Sequence, residues 1–199
     1  MAKYALIDVQ NTDTTTKKML GFQIDWFKFY LFLKNDWKCD KVFLYTGVDE
    51  GDIDTTKMLE ELEKQGCIVR AKTVFAYKNK DKDIEVICSK CQHKSIEHID
   101  MGYNIKSNCD VELSVDAMEL ANKDDAFYIF TGDGDFEFLI QAVNSRGTKV
   151  HIVSNGRKVK TGPRYFTSRL STKLRNLAAS NPTMVSFIDI NNLKLKIQK

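Results

Sequence analysis

Ala126-Phe127-Tyr128-Ile129-Phe130-Thr131-Gly132-Asp133-Gly134-Asp135-Phe136 runs from a short apolar stretch straight into two carboxylates bracketing a glycine. The apolar part has the length and residue types of a buried strand. Helical spacing follows over Phe136 to Ser145, and Lys149 to Ser154 reads as another strand. Upstream, Val111, Val115 and Met118 recur at helical intervals. A strand, a carboxylate-bearing turn and a helix thus form the unit from which the rest can be read. Tyr4-Ala5-Leu6-Ile7, ended by Asp8, repeats the strand-then-acid pattern, and Lys41–Thr46 and Cys67–Phe75 supply two more strands. Helices are expected over Lys17–Asn35, over Ile53–Gln65 with Gly66 closing it, and over Tyr165–Ala179; Val185–Ile190 is strand-like. Strands alternating with helices imply an α/β fold with a parallel sheet sandwiched by helices and joined by right-handed crossovers. Ligands of such sheets sit at the carboxyl ends of the strands. A strand order of 3-2-1-4-5 makes the ends carrying Asp8 and Asp133 neighbours.

At 199 residues, 43% apolar and 29% charged, the chain fits one globular domain over residues 1–199. Met1-Ala2-Lys3 leads into an apolar run too short for a secretory signal, and Phe29–Leu33 is bounded by Lys28 and Lys34, so no membrane span is expected. Five cysteines without a signal point to reduced thiols and a cytoplasmic setting. The first helix is unusually greasy (Phe22, Trp26, Phe29, Tyr30, Phe32): either it is enclosed or it offers a homodimer surface. Charge is strongly segregated. Residues 1–137 carry 18 Lys and Arg against 26 Asp and Glu, net −8; residues 138–199 carry 12 against one, net +11. A basic half of this kind suits a polyanion, although a solvated basic face needs no ligand.

One Asp after a strand is explained by capping the next helix, and glycines by a tight turn. Asp133 and Asp135 together, opposite Asp8, need more. Crowded carboxylates repel and raise each other's pKa unless a cation compensates, and hard ions such as Mg²⁺ or Mn²⁺ take oxygen ligands of this kind. Asn11 offers a neutral oxygen nearby, and Asp110, at the start of a helix, is either an N-cap or a fourth acid. Asp116 lies six residues on, roughly 240° around a regular helix, and so does not share a face with Asp110.

Residues 76–107 interrupt the alternation with a polar, Lys-rich insertion holding two cysteines and two histidines. Cys88-Ser89-Lys90-Cys91 has the spacing of half a zinc site, between two candidate hairpin arms. His98 with Cys109, or with His93, would complete it; two free thiols on a loop is the bland alternative.

Three segments carry a resemblance: Ala5-Leu6-Ile7-Asp8-Val9-Gln10-Asn11, Cys109-Asp110-Val111-Glu112-Leu113-Ser114-Val115-Asp116, and Thr131-Gly132-Asp133-Gly134-Asp135-Phe136. In order and spacing they resemble the signatures of the NYN domain family, the LabA-like members of the PIN-like nuclease superfamily. That resemblance implies a PIN-like fold and a divalent-metal-dependent ribonuclease using Mg²⁺ or Mn²⁺. By matching position it implies Asp8, Asn11, Asp110, Asp133 and Asp135 as site residues, with Asp116 at a further acidic position. The family often has Gly where this chain has Val9, and Lys-Gly where it has Ser107-Asn108. Lys106, Arg157, Lys158, Lys160, Arg164, Arg169 and Lys173 are the candidate RNA contacts. Tyr165 and Phe166 are either base-stacking or core residues. A phosphatase of haloacid-dehalogenase type, whose Gly-Asp-Gly motif is similar, would need an acid at position 10, where this chain has Gln10. A catalytically inactive RNA-binding or scaffold protein on the same fold is the other alternative.

Overall fold

The computed structural model describes residues 1–106, 108–160 and 166–199. Strands β1 (Lys3–Asp8), β2 (Lys41–Val48) and β3 (Ile68–Thr73) pair in parallel, as do β1 and the later strand Ala126–Phe130. Between β1 and β2 lie α1 (Val9–Thr14), which runs into a wide π turn, and α2 (Trp26–Asn35); α3 (Ile53–Lys64) precedes β3. An antiparallel arm follows, with β4 (Phe75–Lys78), β5 (Lys82–Ile87), β6 (Lys94–Ile99) and β7 (Tyr103–Lys106). The chain then resumes with α4 (Asp110–Leu120), β8 (Ala126–Phe130), α5 (Glu137–Ser145) and β9 (Lys149–Ser154). It closes with β10 (Val159–Lys160), β11 (Phe166–Thr167), α6 (Thr172–Ser180), β12 (Val185–Asp189) and α7 (Lys194–Ile197).

The main sheet has the order β12-β9-β8-β1-β2-β3 and every pairing in it is parallel. The expected order of five strands is present, extended by β12 as a sixth at the β9 edge. Side chains alternate across the sheet as the pleat requires. Ala5, Ile7, Val42 and Leu44 pack under α2, α3 and α7, whereas Leu6, Phe43, Ile129 and Ile152 pack under α4, α5 and α6.

Two helices start later than periodicity alone suggests. Gly21 has φ +69°, which ends the turn after Met19, and the Asp25 carboxylate accepts the Phe27 and Lys28 N–H groups, so α2 begins at Trp26 rather than Lys17. Ser171 caps α6 by accepting the Leu174 N–H, so that helix begins at Thr172 rather than Tyr165. The greasy residues of α2 are enclosed: Trp26, Phe29, Tyr30, Phe32 and Leu33 are buried, and Leu31 is the large apolar side chain that the helix leaves exposed. The surface considered for a homodimer is therefore consumed inside the fold. No helix among the described residues is long and apolar enough to cross a membrane.

Candidate functional site

Asp8 ends β1 and caps α1, its carboxylate accepting the Asn11 N–H at 3.0 Å and the Thr131 hydroxyl at 3.3 Å. Asn11, one turn into α1, reaches across to β8: its Oδ1 accepts the Gly132 N–H at 3.1 Å. Thr131 Oγ1 in turn accepts the Asp133 N–H at 3.2 Å, and Asp133 Oδ1 accepts the Asp135 N–H at 3.0 Å. Two neighbouring strand ends are thus laced together by short polar side chains, and the lacing aims carboxylates into one cleft. Its walls are Asp8, Gln10, Asn11, Thr14, Asn108, Asp110, Asp133 and Arg169, around about 270 Å³.

Asp110 enters from α4 as the first residue of that helix. Cys109 occupies the cap position and makes no side-chain cap bond, so Asp110 is not an N-cap. Its Oδ2 accepts Asn108 Nδ2 at 2.6 Å. Burial, followed by the charges of Asp133 and Asp135, raises the Asp110 pKa. Asp8 is raised further, to about 6, chiefly by burial and then by Asp110 and Asp133, against the lowering effect of its hydrogen bonds. Burial leads in both shifts and repulsion among acids sharing one cleft adds to it. Among the described residues, no three His, Cys, Asp or Glu side chains stand close enough to hold an ion as they are. The donors line a common mouth without closing into a cage. Their all-oxygen chemistry fits Mg²⁺ or Mn²⁺.

Gly132 and Gly134 are required by crowding from the C-terminal half. A Cβ on Gly132 would lie 1.9 Å from the Arg169 carbonyl oxygen, and one on Gly134 would lie 2.9 Å from Ser171 Oγ. The Ser171 N–H donates to the Gly132 carbonyl at 2.9 Å, and Arg169 Nε donates to Thr15 Oγ1 at 3.3 Å. Segment 169–171 therefore clamps the acidic turn while Arg169 borders the cleft.

Other sequence candidates go elsewhere. Asp116 is taken by Arg70, which binds both of its oxygens at 3.0 and 3.2 Å, and by the Tyr45 hydroxyl at 3.0 Å; it does not line the cleft. Cys109 is buried, with its thiol donating toward the Thr46 and Arg70 carbonyls, and cannot join Cys88 and Cys91, which are exposed at the arm's tip. His98 sits at the other end of that hairpin, paired with Asp83 and Asp81. Arg157, Lys158 and Lys173 are exposed. Arg164, Tyr165 and the side chains of Lys106, Lys160 and Phe166 lie outside the described residues. Sequence reasoning passed over Thr131, Gln10 and Thr14; for Thr131 alone a signal existed, as a hydroxyl at the end of a strand between two acids.

The NYN domain pattern matches residues 4–168. The chain belongs to the NYN domain family. That family is of PIN-like nuclease type, and the three signature segments all fall inside the match. One relative is the low amplitude and bright protein LabA of Synechococcus elongatus, 26% identical over 97 residues, which are 49% of this chain and 43% of that protein. The chain thus spans less than half the length of that relative. A Vibrio parahaemolyticus protein of unknown function has a similar fold, with a TM-score of 0.61 and 20% identity over 96% of this chain and 94% of that one.

Proposed function

We propose that this NYN domain is a divalent-metal-dependent nuclease acting on RNA. The observation that carries the reading is the convergence of Asp8, Asp110 and Asp133 on one cleft, with the first two raised in pKa by burial and by their acidic neighbours. Asp8, Asp110, Asp133 and Asp135 would hold Mg²⁺ or Mn²⁺. When bound, such an ion makes a water nucleophilic near neutral pH and offsets charge on the leaving oxygen. Asn11 and Thr131 fix the Asp8 and Asp133 ends relative to one another. Arg169, on the cleft wall, is placed to meet a phosphate, and Arg157, Lys158 and Lys173 extend a basic surface outward. The preference for RNA rests on the family resemblance.

Cleavage of labelled RNA and DNA strands, with Mg²⁺ or Mn²⁺ and again with EDTA, tests the proposal. RNA should be cut only with metal, and Asp133→Asn should stay folded and lose the activity. Cleavage at the wild-type rate by Asp133→Asn would sink it. A binding-only role has one observation in its favour, the open spacing of the acids among the described residues. RNA retention without metal-dependent cleavage would select that reading.

A further inference from the structure

The arm between β3 and α4 has no core of its own. Residues 82 to 101 are all exposed, and among the described residues β5 pairs with β6 alone. Ile84, Val86, Ile87 and Ile96 lie bare on this two-stranded hairpin. Such hairpins are marginal in water unless something packs on them.

At its tip the Cys88 N–H donates to the His93 carbonyl and the Gln92 N–H to the Cys88 carbonyl, both at 2.9 Å, with Gln92 at φ 57°. The tight turn places Cys88 and Cys91 side by side in solvent. The backbone N–H groups of Lys90 and Cys91 lie on the side of the turn that faces the Cys88 sulfur. This is how a two-cysteine knuckle presents thiolates to a soft metal. A structural zinc site takes four ligands in a tetrahedron, and thiolates from paired cysteines are common among them.

Among the described residues the other two ligands are not set beside this pair. Cys39, Cys67 and Cys109 are buried in the body of the domain. His98 stands opposite Asp83, five positions down the ladder from Cys88, roughly 16 Å away at strand rise, and is engaged by two carboxylates. Among the described residues no third His, Cys, Asp or Glu is set beside the pair.

We propose that Cys88 and Cys91 form half of a four-thiolate zinc site and that the arm tip of a second copy of this chain supplies the other half. Charge favours that occupant. Each tip carries Lys90, with Lys94 already paired to Glu85, so two bare tips repel. Four thiolates around one Zn²⁺ carry a net −2, which the Lys90 of each copy offsets. Joining two arms also brings a second hairpin to the exposed isoleucines and Val86. Zinc entry releases the protons of the four thiols to solvent.

The test uses the full chain, kept in reductant and purified without a metal-binding tag. Zinc is titrated in, with bound zinc and molar mass followed together. Binding should saturate at half an equivalent per chain, with the mass doubling at the same point. Cobalt in place of zinc should give the absorption of a four-thiolate tetrahedron. Cys88→Ser and Cys91→Ser should stay monomeric and metal-free with unchanged melting of the domain, whereas His93→Gln should behave as wild type. One zinc per chain at monomer mass, no retained zinc, loss of the dimer in His93→Gln, or a dimer that persists in Cys88→Ser would each overturn the proposal. The readouts do not depend on nuclease activity, so they stand apart from the reading of the acidic cleft.

Discussion

Asp8 does two things that oppose each other. It caps α1 and accepts from Thr131, and both bonds favour the carboxylate, yet burial and two neighbouring acids disfavour it and raise its pKa from 3.8 to about 6. A raised acid pKa means the native state holds the proton more tightly than the unfolded chain. Stability is thus highest below the ordinary carboxylate range and falls as pH rises toward about 6. A shift of that size costs ~3 kcal/mol once the group is ionised. Asp8→Asn removes the penalty while losing one hydrogen bond's worth, about 1 kcal/mol. Urea unfolding without added metal should show the variant more stable than wild type by roughly 1–2 kcal/mol at pH 7.5, with the difference vanishing at pH 4. Added Mg²⁺ should stabilise wild type more than the variant, because a ligand binding only the native state shifts the equilibrium by mass action. Gly132 gives a sharper case. Its missing Cβ makes room for the Arg169 backbone, and backbone cannot swing aside as a side chain can. Gly132→Ala should cost at least ~2 kcal/mol in thermal unfolding. The acids were legible in the sequence because their type and placement after strands are unusual. Arg169 could be read as basic but not as a clamp, since its decisive atom is a main-chain oxygen, which every residue has.

At the scale of elements, α4 and β3 are tied by the Arg70–Asp116 pair, whose carboxylate is only 13% exposed. Asp116→Asn weakens a bidentate contact outside the cleft. It should lower stability by about 1 kcal/mol while leaving metal-dependent cleavage within a few-fold of wild type, as chemical denaturation and the cleavage assay would report. The six-residue offset from Asp110 already pointed that way, since it turns the side chain to another face. The arm was legible as a break in rhythm with two candidate hairpin arms around the cysteine pair, and β5 and β6 are those arms. Its strands have no alternation toward a core, because no residue from 82 to 101 is buried, and burial is what makes periodicity visible. For the same reason its removal should cost the domain little. Asn79 N–H already donates to the Gly102 carbonyl at 2.8 Å, which closes the base. Replacing residues 80–101 with a short Gly-containing turn should leave the melting temperature within a few degrees of wild type. A collapse of the cooperative transition would show that the arm supports the core after all.

For the whole molecule, parallel pairing followed from strand–helix alternation, the expected order of five strands is present as β3-β2-β1-β8-β9, and the expected crevice lies where β1 and β8 end side by side. The sixth strand was harder to place because a parallel edge strand can join either side, and in the fold it pairs with β9 while α6 packs against it. The segregated charge, net −8 up to residue 137 and +11 beyond, is folded so that the basic segment presses on the acidic turn through Arg169 and Ser171. RNA affinity measured between 50 and 200 mM salt should therefore fall steeply, as counterion release requires, and the log–log slope should shrink by about one for each of Arg157→Ala and Lys173→Ala. One more arrangement spans the chain from front to back. The Asp25 N–H donates to the Ile197 carbonyl at 2.8 Å and the Lys199 N–H to the Gln23 carbonyl at 3.0 Å, while Ile190, Leu193 and Ile197 share a cluster with Phe22, Ile24 and Phe29. Early residues such as Val42, Leu44 and Leu62 cover part of the aromatic helix, whereas Ile190, Leu193 and Ile197 complete the cluster from some 160 positions further along the chain. Closing that face is thus a long-range step in folding, one that no local segment of the chain completes alone.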